Sequence, residues 1–379
     1  MSQRPQKILI IFGTRPEAIK LAPVIRELQA DAARFIVRIC VTAQHRSMLD
    51  QVLRTFGITP HYDLKVMEEG QDLFQVIHRC LDRLRVILEE ERPDWVLVQG
   101  DTTTVMCAAL LAYYHRVKIG HVEAGLRTGD KFQPFPEEVN RQVLGVVGDL
   151  HFAPTEWARD NLLREGIPTT RIVVTGNTVI DALLEMVARP VDLSSGPLAG
   201  VDDSQQIILV TAHRRENFGD PLERIFKALR SIATAYSGKA TLIYPVHLNP
   251  NVQEPAHRLL GGVPNIRLIE PVDYLSMVHL MKRAHLILTD SGGIQEEAPA
   301  LGKPVLVLRE KTERPEALQA GTAVLVGTIS ERIVRETRRL LDDPQAHSAM
   351  ARAVNPFGDG HAAERIVAAL LKSHASAEP

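Results

Sequence analysis

The sequence is poor in cysteine, in net charge and in long hydrophobic runs, and each shortage argues against a class of protein. Its three cysteines, Cys40, Cys80 and Cys107, are far apart and lie in apolar segments. We therefore expect buried free thiols in a reducing cytoplasm, and no disulfide framework. A net charge of -2 argues against a nucleic-acid partner. No apolar run is long enough to cross a bilayer, so no membrane association is expected.

The composition is that of an ordinary globular protein. The chain has 379 residues, of which 45% are hydrophobic and 24% are charged. This length predicts two domains. The first residues, MSQRPQKILIIFG, enter a predicted strand almost at once and lack the features of a signal peptide, which also favours a cytoplasmic location.

Apolar, strand-like segments alternate with stretches of helical periodicity along the whole chain. Uninterrupted apolar strands separated by helices are typical of parallel sheets that helices cover on both faces. The predicted helices include residues 16–30, 72–91 and 102–115. The predicted strands are residues 7–13, 35–43, 94–100, 117–125, 150–154, 171–176, 206–212, 240–246, 265–271, 285–290, 304–310 and 322–327.

One stretch rich in Pro, Gly, Ser and Asp, ARPVDLSSGPLAGVDDSQQ, interrupts this alternation and reads as a linker. The sequence thus predicts an α/β protein with two doubly wound, Rossmann-like parallel-sheet domains facing a central cleft. The domains are residues 1–187 and 206–356, the linker is 188–205, and a helix in 357–379 could pack back on the N-terminal domain. Ligands of such proteins bind at the carboxyl ends of the strands, so functional side chains should follow the strands directly.

The first predicted strand exits through Gly13-Thr14-Arg15-Pro16-Glu17. Proline suits the first turn of a helix, because its missing N–H costs nothing there. The amides of that turn, with Arg15 and Lys20 beside them, predict an anion site. The alternative is a plain turn with a solvated arginine. No Walker motif and no GxGxxG follows a strand, so NTP hydrolysis and NAD binding are poorly supported.

A second exit of this kind is Asp290-Ser291-Gly292-Gly293, in the segment TDSGGIQEEAPALGKPVLVLRE. Two glycines allow a phosphate to approach the backbone, and a serine hydroxyl can add a hydrogen bond. Glu297 lies one turn further on, where a carboxylate would bind hydroxyls better than phosphate. Together these residues suggest a nucleoside-diphosphate sugar with its ribose on Glu297. The alternative is that Glu296 and Glu297 only favour the first turn electrostatically, and for Glu296 we adopt it.

Three carboxylates follow strands of the first domain and could move protons on such a sugar. Asp101 begins GDTTTV, where it could instead be a helix N-cap. Glu123 lies in GHVEAGLRTGD, and Glu137 lies in FPEEVNRQV. Arg141 comes four residues after Glu137, a spacing that also fits a surface ion pair.

Two histidines follow strands of the second domain, His213 in VTAHRREN and His247 in YPVHLNP. Neither has a metal-ligand spacing, so no metal is expected. A single histidine at a strand end is more often structural than catalytic. The position of His213 at the binding edge, beside Arg214 and Arg215, leaves both roles open.

Ten segments in order resemble the non-hydrolysing UDP-N-acetylglucosamine 2-epimerases of bacteria, over about residues 7–365. They are FGTRPEAIKLAP, TAQHRSMLDQVL, GDTTTV, GHVEAGLRTGD, PFPEEVNR, TGNTVIDAL, TAHRREN, YPVHLNPNV, TDSGGIQEEAPALGKPVLVLRE and TERPEA. The resemblance implies the glycosyltransferase-B fold. It also implies an isomerase, a cytoplasmic homodimer that serves cell-surface polysaccharide biosynthesis.

The implied reaction interconverts UDP-N-acetylglucosamine and UDP-N-acetylmannosamine without a cofactor. It proceeds by anti elimination of UDP, a 2-acetamidoglucal intermediate and re-addition of UDP. By the resemblance, the catalytic residues are Asp101, Glu123, Glu137 and His213. The residues that bind substrate or UDP are Arg15, Lys20, Arg141, Val272, Met277, Ser291, Gly292, Gly293, Glu297 and Arg314.

Two positions of the implied uracil segment, PVDYLSM, depart from the family: Val272 and Met277 replace Gln and Phe. Ring stacking would then give way to softer packing. The resemblance also implies that UDP-N-acetylglucosamine binds beside the active site as an activator. Gln44, Arg215 and His247 match that second site, whereas Ser47 and Gly70 replace a Gln and an Arg of some members.

Three other functions fit the same fold. A glycosyltransferase would share the UDP site but need an acceptor site. A hydrolysing epimerase would release UDP and free N-acetylmannosamine. A non-catalytic sensor of sugar nucleotides would be expected to lack one of the three carboxylates.

Overall fold

A computed structural model describes residues 4–42, 46–68, 70–192, 199–201 and 204–375. They form two compact units. The first comprises residues 4–182 and 357–375, and the second comprises residues 183–356. The chain therefore leaves the first unit within a helix, Thr178–Ala188, and returns to it at Phe357.

The first unit alternates strands and helices as the apolar pattern predicts. The short strand β3 is the one that the sequence analysis did not predict. The elements are β1 (Gln6–Phe12), α1 (Arg15–Ala30), β2 (Phe35–Val41), α2 (Arg46–Phe56), β3 (Tyr62–Asp63), α3 (Leu73–Glu91), β4 (Trp95–Gln99), α4 (Thr103–Tyr114), β5 (Lys118–Val122), α5 (Glu137–Val147), β6 (Leu150–Ala153), α6 (Glu156–Arg164), a 3₁₀ turn (Thr169–Arg171), β7 (Ile172–Val174) and α7 (Thr178–Ala188).

The second unit also alternates strands and helices. The last helix of the chain, α15, belongs to the first unit. The elements are β8 (Gln206–Thr211), a 3₁₀ turn (Arg215–Asn217), α8 (Asp220–Ala235), β9 (Ala240–Pro245), α9 (Pro250–Leu260), β10 (Ile266–Ile269), α10 (Tyr274–Arg283), β11 (Leu286–Thr289), α11 (Gly292–Ala300), β12 (Val305–Val307), α12 (Pro315–Gln319), β13 (Ala323–Leu325), α13 (Ser330–Asp342), α14 (Pro344–Ala351) and α15 (Ala362–Ala375).

Both sheets are parallel throughout, which confirms the predicted α/β class. The strand orders are β3-β2-β1-β4-β5-β6-β7 and β10-β9-β8-β11-β12-β13. The central strands are buried on both faces, and residues 8–12 of β1 are fully inaccessible. This burial is why these strands read as continuous apolar runs instead of alternating with polar residues.

The three cysteines lie in one apolar core of the first unit and are free thiols, as predicted. Burial, with Asp63 and Cys80 nearby, raises the pKa of Cys40 to about 12. Within the described part of the chain, no helix combines the length and apolar character that a membrane span requires.

The final helix is fixed to the first unit by its backbone. The Asp181 carboxylate of α7 accepts a 2.8 Å hydrogen bond from the amide of Ala363. A second hydrogen bond ties the segment before the helix to the first unit: the backbone amide of Asn177 donates to the carbonyl of Phe357 at 2.6 Å.

Candidate active site

Each sheet reverses its winding direction at one point, and the candidate residues follow the strands there. The first strand order reverses between β1 and β4, and the second reverses between β8 and β11. In doubly wound sheets, ligands bind at the carboxyl ends of the strands at this switch point. Residues 13–17 and Asp101 follow one pair of strands, whereas His213 and residues 290–293 follow the other.

The turn after β1 is organised by Glu17, which sequence reasoning passed over. Its carboxylate is buried and accepts hydrogen bonds from the amides of Gly13 (2.6 Å) and Thr14 (2.7 Å). It also accepts one from the hydroxyl of Thr102 at 2.5 Å, across the switch point. The signal that could have found it is the spacing of Thr14 and Glu17, which is that of a capping box.

This turn changes the anion-site prediction for the start of α1. The amides of Gly13 and Thr14 are occupied by Glu17, and the amide of Glu17 bonds the Thr14 hydroxyl at 3.5 Å. The helix terminus therefore offers fewer amides than the sequence suggested. Arg15 is exposed and has no ion-pair partner among the described residues, so it is the group of this turn that can receive an anion.

Lys20 and Glu123 form a buried ion pair, so Lys20 is not the isolated cation that the sequence suggested. Glu123 adopts a left-handed backbone conformation, with φ at 63°. This conformation costs a residue other than glycine about 1–2 kcal/mol. Gln99 and Asn177 also donate to its carboxylate, the latter at 2.8 Å. Surrounding contacts thus hold Glu123 in a strained position at the end of β5.

Asp101 is held by Arg141. The Nε atom of the guanidinium donates to one carboxylate oxygen of Asp101 at 2.8 Å, and Nη2 lies 2.7 Å from the same oxygen as an ion-pair contact. The amide group of Asn140 donates to the carbonyl of Asp101 at 2.8 Å. Asp101 is not an N-cap, because Thr102 caps α4 by accepting from the amide of Val105. The structural alternative raised for Asp101 from the sequence is therefore wrong.

Glu137 and Glu138 are neighbours with different surroundings. Arg141 pairs with Glu138 at 2.9 Å, three residues away, and not with Glu137 as its i,i+4 spacing suggested. The ion pair between Arg141 and Glu137 that this spacing allowed is therefore wrong, and the partners of Arg141 are Glu138 and Asp101. Glu137 is half-buried at the first position of α5, and its carboxylate has no hydrogen-bond partner among the described residues. The resemblance singled out Glu137, but no local sequence pattern predicted that Glu138 is the partner of Arg141.

Asp290 organises the corresponding region of the second unit. Its carboxylate is fully buried and accepts hydrogen bonds from the amides of His213 and Arg214, both at 2.8 Å, and from the side chain of Asn217 at 3.0 Å. The Nδ1 atom of His213 lies 3.6 Å from the other carboxylate oxygen. The His213 ring also stacks on that of His247, with centroids 5.3 Å apart.

The Ser-Gly-Gly exit carries positive charge. Ser291 is the N-cap of α11, but its hydroxyl makes no capping bond to the helix. A Cβ atom on Gly292 would lie 3.6 Å from a guanidinium nitrogen of Arg214 and 3.9 Å from one of Arg314. Two guanidinium groups beside the amides of a helix N-terminus make an anion site. Neither Gly292 nor Gly293 lies in the left-handed region of backbone conformation. Glycine therefore leaves space for a ligand at these positions, and it does not relieve backbone strain.

Two further acids interact with these or neighbouring arginines. Glu296 is buried and forms an ion pair with Nε of Arg314, so the purely electrostatic role that we adopted for it is incomplete. Glu313 bonds Arg309 at 2.8 Å. Burial opposes the ionisation of Glu313, but Arg309, with Arg314 and Arg214 nearby, lowers its pKa to about 2.

Glu297 accepts a 2.7 Å hydrogen bond from the hydroxyl of Tyr274, the first residue of α10. Burial, together with the Glu297 carboxylate, raises the pKa of Tyr274 well above its usual value, so the phenol stays a donor. Val272 and Met277 are half-buried around the start of the same helix.

The structure describes some residues of the predicted activator site. Gln44 lies outside the described residues, and of Ser47 only the backbone is described. Arg215 is exposed, and His247 accepts from the amide of Asn249 at 3.1 Å. In the described ranges, no three His, Cys, Asp or Glu side chains are grouped so as to hold a metal ion.

Known proteins match this chain over almost its entire length. The family model described as UDP-N-acetylglucosamine 2-epimerase matches residues 26–371. The UDP-N-acetylglucosamine 2-epimerase of Yersinia pestis is 56% identical over 374 residues, which cover 97% of this chain and 99% of that protein. The Neisseria meningitidis UDP-GlcNAc 2-epimerase bound to UDP-GlcNAc has a TM-score of 0.88 at 47% identity, covering 97% of this chain and all of that one.

A more distant likeness concerns the fold alone. The glycotransferase of kitacinnamycin has a TM-score of 0.64 at 14% identity, covering 98% of this chain and 99% of that one. This likeness agrees with the predicted glycosyltransferase-B fold.

Fold and relatives define the class first: the protein is an α/β enzyme, and it is an isomerase. Within that class, the chain belongs to the UDP-N-acetylglucosamine 2-epimerase family.

Proposed function

We propose that this protein interconverts UDP-N-acetylglucosamine and UDP-N-acetylmannosamine by eliminating UDP and adding it back. The observation that carries the proposal is the set of carboxylates at the ends of β4 and β5 and the start of α5. Each is in a different environment: Asp101 is paired with Arg141, Glu123 with Lys20, and Glu137 with no described side chain. Full-length identity above 50% to relatives named for this reaction supports it.

The chemistry explains why several carboxylates are needed. A carboxylate takes the proton from C2, the C–H electrons form the C1–C2 double bond, and the C1–O bond breaks to release UDP. In the reverse step, a UDP oxygen attacks C1 of the 2-acetamidoglucal and an acid returns a proton to the opposite face of C2. One carboxylate cannot easily serve both faces, so a second must act.

The C2 proton is not acidic, so departure of UDP must run ahead of its removal or with it. Negative charge grows on the leaving diphosphate, and donors aimed at that charge lower the barrier. We assign this role to the amides of residues 291–293 and to Arg214 and Arg314. His213 adds a donor at the same strand ends, and Glu297 binds the ribose.

Quaternary structure is also part of the proposal. Large apolar side chains on α3, α4 and α5 are exposed, which is typical of a surface that a second subunit covers. We propose a homodimer through this surface, whose exposed members are Phe74, Val86, Tyr113, Tyr114 and Val146. The cytoplasmic location, the polysaccharide pathway and the activator site stay predictions.

The reaction in D2O tests the mechanism. With UDP-N-acetylglucosamine as the sole substrate, both epimers should gain deuterium at C2, and UDP with 2-acetamidoglucal should appear slowly. Asp101→Asn and Glu137→Gln should lower turnover roughly 10²–10⁴-fold, since each removes an acid or base. His213→Asn should also slow the reaction. All three variants should keep their fold, which circular dichroism would show.

The products also separate the alternatives. A hydrolysing epimerase would release free N-acetylmannosamine, whereas a glycosyltransferase or a sensor would leave the substrate unchanged. Product that carries no deuterium at C2 would mean a hydride or carbonyl route, and the role of the carboxylates would then be dropped.

A further inference from the structure

A buried carboxylate close to Asp101 has no part in the proposed reaction. Glu138 is fully inaccessible to solvent. It accepts hydrogen bonds from the amides of Thr128 (3.2 Å) and Gly129 (3.1 Å) and from Nη1 of Arg141 (2.9 Å). A buried charge persists only when partners compensate it, so these three donors are what keeps Glu138 in place.

Through Arg141, this carboxylate reaches Asp101. The guanidinium uses Nη1 for Glu138, and it uses Nε and Nη2 for Asp101. Only 11% of the Arg141 side chain is exposed, so it has little freedom to change partners. One positive charge is therefore shared between two carboxylates, with a planar group fixed from both sides.

We propose that Glu138 is a positioning residue, which orients Arg141 and limits how strongly its charge acts on Asp101. The proposal rests on the proposed function in one respect, namely that Asp101 exchanges a proton with the substrate. Without Glu138, the whole charge of Arg141 would act on Asp101 and favour its ionised form. Glu138 also anchors the segment before α5, because it binds the amides of Thr128 and Gly129.

Other ionisable groups near the Asp101 turn could also affect a pH profile. His121 binds the carbonyl of Gly100 at 2.8 Å. Burial, together with His151, lowers the pKa of His121 to about 3, so it stays neutral in the working range. The charged groups on the packed elements are Arg141 and Glu138 from α5, Glu123 after β5, and Glu17 and Lys20 from α1.

The experiment compares Glu138→Gln with the wild-type enzyme over a range of pH. We expect kcat to fall roughly 10- to 100-fold with a smaller change in KM, because Asp101 loses its fixed partner geometry. The acid limb of kcat/KM should move to lower pH by about 0.5–1 unit, because a nearby negative charge has been removed. A matched control is Glu156→Gln, which breaks the ion pair with Arg159 on α6 of the same unit and should leave the acid limb unchanged.

A second variant separates charge from geometry. Glu138→Asp keeps the charge but shortens the side chain by one methylene, so kcat should fall while the acid limb stays in place. If Glu138→Gln does not fold, the lower kcat and unchanged acid limb of Glu138→Asp test the proposal. Wild-type kcat in Glu138→Asp, or an acid limb that moves as far as in Glu138→Gln, would overturn the proposal.

Hydrogen exchange gives a readout that is independent of activity. The amides of Thr128 and Gly129 should exchange faster in Glu138→Gln than in wild type. A wild-type enzyme without epimerase activity would refute the proposed function, and the exchange result would still test the anchoring. An active wild type with unchanged kinetics and exchange in Glu138→Gln would refute the positioning role alone.

Discussion

At the scale of single residues, two pairs of adjacent glutamates show that identical neighbouring side chains can have different environments. In each pair, one acid is buried against an arginine: Glu138 on Arg141 and Glu296 on Arg314. The neighbour has a different surrounding, because consecutive helical residues point about 100° apart. Glu297 thus meets Tyr274. The arginine-bound member holds a guanidinium in place, whereas its neighbour does not pair with that arginine.

Gly293 gives a prediction at this scale. A Cβ atom there would lie 3.7 Å from a carboxylate oxygen of Glu297 and 4.0 Å from the Ser291 hydroxyl, which is ordinary contact. Gly293→Val should therefore fold, but its branches would occupy space that a phosphate needs. We expect UDP affinity, measured by calorimetry, to fall roughly tenfold to a hundredfold, the equivalent of one charge-assisted hydrogen bond.

Ala300→Val, at the other end of the same helix, is the matched control and should bind UDP normally. If Gly293→Val retains wild-type affinity for UDP, residues 291–293 do not bind the diphosphate.

At the scale of secondary-structure elements, one polar contact joins the two strand ends of the first switch point. The Thr102 hydroxyl donates to Glu17 of α1 at 2.5 Å and accepts from the Val105 amide at 3.4 Å as the cap of α4. The turns that carry Arg15 and Asp101 are therefore held together. Loss of this hydroxyl should disturb both helices.

Thr102→Val tests this link. The variant loses an N-cap and leaves a buried carboxylate with one donor fewer, so the free energy of unfolding should fall by about 1–2 kcal/mol. Urea denaturation followed by circular dichroism measures it. Thr234→Val, which removes an exposed hydroxyl bonded within α8, should change the stability by no more than about 0.5 kcal/mol. Equal midpoints for the two variants would show that the link contributes nothing.

At the scale of the whole molecule, several buried histidines make stability depend on pH. Burial lowers the pKa of His151 to about 4, and burial with His347 nearby lowers that of His285 to about 4. The ordinary value is 6.5, so the unfolded chain binds more protons than the folded one between these limits. Stability is therefore full above pH 6.5 and is lost as the pH falls.

We expect the free energy of unfolding to decrease from pH 6.5 to pH 5, by up to about 1.4 kcal/mol per pH unit for each such histidine. Glu17 and Asp181, whose pKa values are raised mainly by burial, act in the opposite direction at pH values above their ordinary pKa values of 4.5 and 3.8. His151→Leu should make the dependence shallower in urea denaturation. His78→Gln, on an exposed side chain, should not, and equal slopes for the two variants would contradict the assignment.

Much of the fold could be predicted because its strands are buried on both faces. Residues 8–12 and 207–210 are apolar without interruption, and such runs between helical stretches have few structural solutions. The parallel arrangement then predicted that candidate residues follow strands, and Asp101, Glu123 and Ser291 do lie directly after β4, β5 and β11. The motifs of the family supplied the roles that composition and spacing left open.

Only the tertiary structure decided which groups meet. Glu17 and Thr102 are 85 residues apart, and Asp101 and Arg141 are 40 apart, so no local pattern predicts these hydrogen bonds. The same holds for the partner of Arg141, because local spacing does not show that Glu138 is the buried glutamate of α5 and Glu137 is not. Local patterns determine which residues reach the end of a strand. Packing between distant elements determines which charges are paired there, because ion pairing depends on distance and burial and not on position along the chain.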